Sequence, residues 1–223
     1  MIEITNEDCM DLMKRYPNKH FDLAITDPPY GIGFDGENPS MSEGLKKDGS
    51  KRFIKTWRNP KEKGYIRKNW DNEIPKDEYF KELFRVSKKQ IICGGNYFDL
   101  PKTGGWIIWD KCVSMPSLSK CELLWTSFLN HTEIFKFLWA GYRKAEVVNR
   151  QHPTQKPIAL YKWLLINYAK PGDKILDTHL GSGSIAIACK DLRFDLTACE
   201  IDEDYFEAAK KRIDEHFIQE ALF

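Results

Sequence analysis

Asp27, Pro28, Pro29 and Tyr30 follow directly on the apolar and β-branched run Leu23–Thr26, and Gly31 and Gly33 come soon after. A strand that ends in this way offers a carboxylate acceptor beside an aromatic ring. Far along the chain a second constellation appears in "DTHLGSGSIA", where Gly181, Gly183 and Ala186 fit G-x-G-x-x-A between a strand pattern and a helix pattern. Glu200 lies 19 residues beyond Gly181, at the end of the next strand pattern. Glycines there let backbone approach a ligand closely, and a carboxylate at that distance suits a ribose diol. The combination points to an adenosine-containing cofactor, either a dinucleotide or S-adenosylmethionine. Only 23 residues follow Glu200, enough for one helix and not for a second mononucleotide-binding half, which argues against the dinucleotide.

The elements that must position these residues are legible as patterns. A strand at Ile2–Thr5, a helix around Asp8–Tyr16 and the strand ending at Asp27 come first. Residues 31–69 read as a long loop rich in Gly, Lys and Asn, too long for a plain connection. "IPKDEYFKELFRVS" spaces Tyr79, Phe80, Leu83 and Phe84 at a helical period after Pro75. "QIICGG", "GGWIIWD" and "CELLWTSF" read as strands, and "TEIFKFLW" alternates as an edge or antiparallel strand does. "KPIALYKWLLINYAKPGD" is a helix begun by Pro157 and closed by Pro171 and Gly172. Alternating strand and helix units of this length predict an α/β fold, a doubly wound and mostly parallel sheet with helices on both faces. His131, Trp125 and Trp139 are expected in the core, and His20 and His216 on the surface.

The length, 223 residues, suits a single domain over 1–223, with 35–69 as an insertion at the top of the sheet. Hydrophobic residues make up 42% and charged residues 30%, and no apolar run is long enough for a bilayer. The first residues carry no signal-peptide pattern, so a cytoplasmic location is expected, associated with the nucleoid when DNA is bound. The six cysteines contain no C-x-x-C pair, which predicts free thiols and no metal site. From Gly44 to Lys68 there are ten Lys and Arg against two Asp and Glu, a local net of +8 in a chain whose total is +1. A basic segment with Phe53, Trp57 and Tyr65 interleaved is either a phosphate-contacting surface or a solvated charged loop.

"DPPY", "HPTQKP" and a late G-x-G, in this order, resemble the amino-group DNA methyltransferases, which methylate the exocyclic nitrogen of adenine or cytosine. The order is that of the permuted class, with the catalytic motif first and the cofactor turn last. The resemblance extends over most of the chain, with "NEDC", "KNWDNEIP" and "GGNYF" looking like further family segments. It implies a methyltransferase fold, S-adenosylmethionine as cofactor, double-stranded DNA as partner, and a homodimer as a further possibility. It implies catalytic roles for Asp27, Pro28, Pro29 and Tyr30. Cofactor contacts are implied at Asp8, which would reach the adenine, and at Cys9, Asp27, Thr154, Lys156 and Asp177. The glycine turn adds Leu180, Gly181, Ser182 and Gly183, and the next strand end adds Glu200 and Ile201.

An exocyclic amine is a poor nucleophile because its lone pair is conjugated into the ring. The Asp27 carboxylate and the Pro28 carbonyl would hold its hydrogens and favour a tetrahedral nitrogen. Prolines at 28 and 29 fix φ and lack an N–H, which stiffens the turn. Tyr30 would stack on a base flipped out of the duplex. The family's cytosine members more often carry Ser at the position of Asp27, so N6 of adenine is the expected target and N4 of cytosine the alternative. Methylation at cytosine C5 is disfavoured, since none of the six cysteines follows a proline.

Two departures from the family pattern stand out. Thr178 and His179 occupy the place of an aromatic residue that often follows a proline, and packing is the expected role of His179. Only Gly141–Gln151 separates the last strand from "HPTQKP", which leaves DNA reading to the 35–69 insertion, to "KCVSMPSLSKC" or to a second subunit. In the insertion, Lys46, Lys47, Lys51, Arg52, Lys55, Trp57, Arg58 and Lys63 are the expected DNA contacts. A nicotinamide enzyme and a catalytically impaired DNA-binding relative are the rival readings.

Overall fold

A computed structural model describes residues 1–33, 41–45, 51–55, 68–113, 119–140, 143–145 and 152–220. Its centre is an eight-stranded sheet. The strands in chain order are β1 (Ile2–Asn6), β2 (Phe21–Thr26), β5 (Ser87–Cys93), β6 (Trp106–Asp110), β7 (Cys121–Thr126), β8 (Glu133–Lys136), β11 (Lys174–Asp177) and β12 (Asp195–Glu200). Two short ladders, β3 (Met41–Leu45) with β4 (Lys51–Lys55) and β9 (Trp139–Ala140) with β10 (Arg143–Lys144), account for the other numbers. The spatial order is β1-β12-β11-β2-β5-β7-β6-β8, and every neighbouring pair is parallel except those made by β7.

Helices cover both faces, as the alternating pattern predicts. Helices α1 (Cys9–Lys14) and α2 (Asp77–Val86) bury Leu12, Met13, Phe80 and Leu83 against Ala24, Ile92 and Leu176. On the other face α3 (Ile158–Tyr168), α4 (Ser184–Asp191) and α5 (Glu203–Glu220) bury Leu160, Leu164, Ile185 and Ile213 against Leu23, Ile25, Ile175 and Leu196. Successive residues of β2 therefore serve opposite cores, so the strand reads as a continuous apolar run.

The connection after β11 runs to β12 on one side, while that after β2 runs to β5 on the other, although β11 and β2 are paired neighbours. Such a reversal opens a crevice at the carboxyl ends of the strands, where ligands bind in open α/β sheets. Residues 27–30 and 178–183, some 150 positions apart in sequence, leave the sheet side by side at this crevice.

Several expectations need correction. Within 31–69 the structure has the antiparallel pair β3 and β4, with Met41 opposite Lys55, where a loop was expected. Asp48-Gly49, between these strands in sequence, is the dipeptide that marks a hairpin. Strand β8 is an edge, one of the two alternatives expected for it, and it runs parallel to β6 because β7 alone is reversed. His131 lies outside the core, hydrogen-bonded at the surface to Asn130 and Glu133, whereas Trp125 and Trp139 are buried as expected. His216 is half-buried and paired with Asp191. No described helix is long and apolar enough to cross a membrane.

Candidate active site

Strand β2 ends at Thr26, and the next four residues form a turn whose exit is fixed from a distance. The buried Asp71 carboxylate accepts from the backbone N–H of Tyr30 at 2.7 Å and of Gly31 at 2.9 Å. The Tyr30 ring lies against Gly94, where a Cβ would come within 2.2 Å of the ring, and Gly94 also has φ +66°. Glycine is thus required at 94 on two grounds, and "GGNYF" acts as the wall behind Tyr30. Tyr97 stacks on Tyr30 with centroids 4.9 Å apart and an 11° interplanar angle, and Phe98 meets it edge-on. The ring expected to receive a flipped base is therefore already faced by another ring.

Asp27 is the hub of the charges here. Its Oδ1 accepts from the Tyr30 hydroxyl at 2.6 Å, and its Oδ2 accepts from the Lys156 ammonium in a close ion pair. Lys156 also donates to the Tyr30 oxygen at 3.0 Å and stands 3.3 Å from Glu122, whose other oxygen pairs with Lys111 at 2.5 Å. Burial opposes the charge on Glu122, but the ammonium groups of Lys156 and Lys111 outweigh it and hold the carboxyl down at about 2. Burial likewise disfavours the Lys156 charge, and Asp27 and Glu122 overcome it, raising the ammonium well above its ordinary range. Burial and the charges of Asp27 and Glu122 keep Tyr30 a neutral phenol.

The second turn is built from β11, α4 and β12. Glu200 accepts from the backbone N–H of Gly181 at 2.8 Å and of Asp202 at 3.0 Å, which locks the glycine turn to the strand end beside it. Gly181 has φ +53°, and a Cβ there would meet nothing closer than 3.9 Å, so its open side faces the crevice. At Thr178, where the resemblance leads one to expect an aromatic residue, the structure has a hydroxyl cluster. The Thr178 Oγ lies 2.7 Å from both Thr26 Oγ and Tyr79 OH, joining the ends of β2 and β11. His179 Nδ1 is 3.0 Å from the Thr178 hydroxyl, its ring packs edge-on to Tyr79, and burial lowers its pKa to about 4.

Between the two turns lies a cleft that is partly open to solvent. Of the sequence-predicted site residues it brings together Asp27, Pro29, Thr154, Lys156, Leu180, Gly181, Ser182, Glu200 and Ile201. Asp177 is buried beneath it, Pro28 is buried, and Gly183 caps the start of α4. Asp8 and Cys9 are not among the lining residues: the Asp8 carboxylate caps α1 by accepting from Met10 N at 2.7 Å, and burial pushes the Cys9 thiol up to about 12. Lys46, Lys47, Trp57, Arg58 and Lys63 lie outside the described residues, and Lys51, Arg52 and Lys55 are described only as backbone of β4.

The wall that sequence reasoning missed is aromatic: Trp70 packs on His152 at 5.1 Å, and His152 on Tyr205 at 4.4 Å. Lys68 bridges Asp202 and Asp204, 2.5 Å from each, and lies 4.8 Å over the Tyr205 ring. Trp70 and His152 sit within "KNWDNEIP" and "HPTQKP", so the family-like segments were a signal for the place, though not for the side chains. Among the described residues no group of three or more His, Cys, Asp or Glu side chains is placed to hold a metal ion.

Asp177 gives a pH prediction. Burial raises its carboxyl to about 8, from an ordinary 3.8. The folded chain thus keeps a proton that the unfolded chain releases, and stability drains away as pH rises from about 4 to about 8. Asp177→Asn preserves an acceptor for His179 N and removes the titration. In thermal melts its Tm, relative to the unsubstituted chain, is expected to rise progressively between these pH values. A difference independent of pH would contradict the protonated state assigned to Asp177.

Comparisons with known proteins agree with this geometry. A DNA methylase family model, for N6 and N4 methyltransferases, matches residues 124–211, from β7 to α5. The type II methyltransferase M.HpaI of Haemophilus parainfluenzae is 40% identical over 88 residues, 40% of this chain but 27% of that protein. The type II methyltransferase M.HinfI of Haemophilus influenzae is 24% identical over 95% of this chain and 68% of its own length. Among solved structures, the M1.HpyAVI–SAM complex superposes with TM-score 0.57 at 20% identity, covering 95% of this chain and all of that one. The cytosine-N4-specific PvuII DNA methyltransferase gives 0.56 at 12% identity, covering 98% and 92%. The fold is that of these solved DNA methyltransferases, and the stretch 124–211, less than half of the chain, matches the DNA methylase family model.

Proposed function

We propose that the chain methylates DNA, with the exocyclic N6 of adenine as its target. The observation that carries this reading is that two distant turns share one cleft at the ends of paired strands, the first through Asp27 and Pro29 and the second through Leu180, Gly181 and Ser182 with Glu200, while Tyr30 lies outside the lining. The residues fit an adenosine-bearing sulfonium: Gly181 leaves an open cradle, Glu200 stands at the strand end for a ribose, and Ile201, Leu180 and Tyr205 offer apolar surface. S-adenosylmethionine, when bound, supplies a methyl group on a sulfonium that is already electrophilic.

The protein's own contribution is positioning and electrostatics. Asp27 accepts hydrogens of the target amine, and the Pro28 carbonyl serves as a second acceptor. The turn that carries both is stiffened by its prolines and stapled by Asp71. For the base to stack on Tyr30, Tyr97 must give way, and its 43% exposure leaves room for that movement. Asp27 in place of the serine more usual in cytosine enzymes supports adenine.

The basic insertion supplies the DNA contacts in this reading. Neutralising Lys51, Arg52, Lys55 and Arg58 together is expected to weaken DNA binding and to flatten the plot of log K against log salt by about 0.9 for each phosphate no longer neutralised. An unchanged slope in binding titrations would remove the insertion from the interface. The function itself is tested by following labelled methyl groups from S-adenosylmethionine into unmethylated genomic DNA. Incorporation is expected, and its absence with DNA and cofactor both bound would overturn the reading.

A further inference from the structure

We propose that Lys156 and Glu122 form a buried charge couple that holds the Asp27 carboxylate in place as the acceptor of the target amine, Lys156 being a positioning residue for the reaction. The inference rests on the methyltransferase reading above. Its basis is a chain of alternating charges, Lys111–Glu122–Lys156–Asp27, drawn from the residue after β6, from β7, from the segment before α3 and from the turn after β2. The Lys156 side chain is only 3% exposed, yet its ammonium donates to Asp27 Oδ2 and the Tyr30 hydroxyl and stands 3.3 Å from Glu122 Oε2 as an ion pair, that oxygen having no hydrogen-bond partner of its own. Its backbone is fixed as well, since its carbonyl accepts from Ser184 Oγ at 2.8 Å and Pro157 beside it caps α3.

A buried ion pair seldom stabilises a fold more than apolar residues of similar volume would, so packing alone does not explain an ammonium at this place. What the couple does is specific to Asp27. One carboxylate oxygen is held by the neutral Tyr30 hydroxyl and the other by a cation, which fixes the plane of the group. Each oxygen has a second lone pair free for an amine hydrogen. Tyr30 and Lys156 touch Asp27, Glu122 stands behind Lys156, and Cys93 from β5, Tyr161 from α3 and Asp177 from β11 lie within electrostatic reach of Asp27. Burial keeps Cys93 and Tyr161 neutral and raises Asp177 to about 8, so Lys156 is the one cation among these groups.

Opposite signs distinguish this role from packing. In Lys156→Met the two buried anions lose their shared cation. The acid limb of the methylation rate should then move to higher pH. Glu122→Gln removes an anion and leaves the cation, so the limb should move to lower pH, while Lys156→Arg should keep it near its original position. The double variant Lys156→Met with Glu122→Gln should bring the limb back toward that of the unsubstituted enzyme. A packing role would slow all four without displacing the limb.

The same ordering is measurable without turnover, by following the 13C shift of the Asp27 carboxyl carbon against pH, with the signal identified by its loss in Asp27→Asn. Opposite displacements in Lys156→Met and Glu122→Gln support the couple. Coincident or same-direction displacements overturn it. If Lys156→Met does not fold, Glu122→Gln and the double variant decide the matter. If the carbon shifts behave as described but no DNA is methylated, the charge couple stands and the methyltransferase reading fails.

Discussion

Asp27→Ala is expected to lower the rate of methyl transfer to DNA by about 10²-fold or more, the scale seen when one preorganised acceptor or donor is removed from a reacting centre. The loss should fall on the rate at saturating DNA and cofactor, because the carboxylate meets the target amine and not the DNA backbone. DNA binding should stay within a few-fold of its original strength. Lys156 keeps Glu122 and the Tyr30 oxygen as partners, so the fold should survive with a loss of about 1–3 kcal/mol in denaturant unfolding. A variant that transfers methyl groups at the original rate would remove Asp27 from the chemistry.

Glu200→Ala is expected to weaken S-adenosylmethionine binding by about 10²-fold. The carboxylate holds the N–H groups of Gly181 and Asp202, so its loss both opens the turn and removes the acceptor offered to the ribose. Hydrogen bonds to a charged group are worth about 1.5–3 kcal/mol each, and losing one or two of them accounts for the change. Calorimetric titration measures it directly, with DNA binding in the absence of cofactor as the control. Unchanged affinity would place the cofactor away from the Gly181 turn.

Both residues are legible in the sequence, because their positions are set by short-range pattern. A strand that runs into Asp27-Pro28-Pro29-Tyr30 and one that runs into Gly181-Ser182-Gly183 each announce their ends through apolar run, proline and glycine. The alternation of strands and helices points to the doubly wound sheet, and the resemblance supplies which strand ends meet. What stays hidden depends on pairing across the sheet. Glu122 and Lys111 lie on β7 and just after β6, and nothing in "CELLWTSF" says that its one acid turns toward Lys156. Trp70, His152 and Tyr205 come from three segments whose contact requires the fold. The β3–β4 hairpin is obscured by its charge, because ten basic residues around it read as a solvated loop and mask the Asp48-Gly49 signal. Asp8, placed at the cofactor by resemblance alone, caps α1 in this structure.

The same physics explains the departure at Thr178. A ring at this position would have to be accommodated beside Tyr79, whereas a hydroxyl satisfies Thr26, Tyr79 and His179 in a buried cluster. The cleft retains aromatic surface from Trp70, His152 and Tyr205.

The most direct test is to incubate the protein with S-adenosylmethionine and unmethylated genomic DNA, digest the DNA to nucleosides, and identify methylated species by mass spectrometry. N6-methyladenine is the expected product, absent from the same reaction with Asp27→Ala. N4-methylcytosine would keep the site and overturn the choice of base, and the absence of any methylated base from DNA that the protein binds would contradict the proposed function itself.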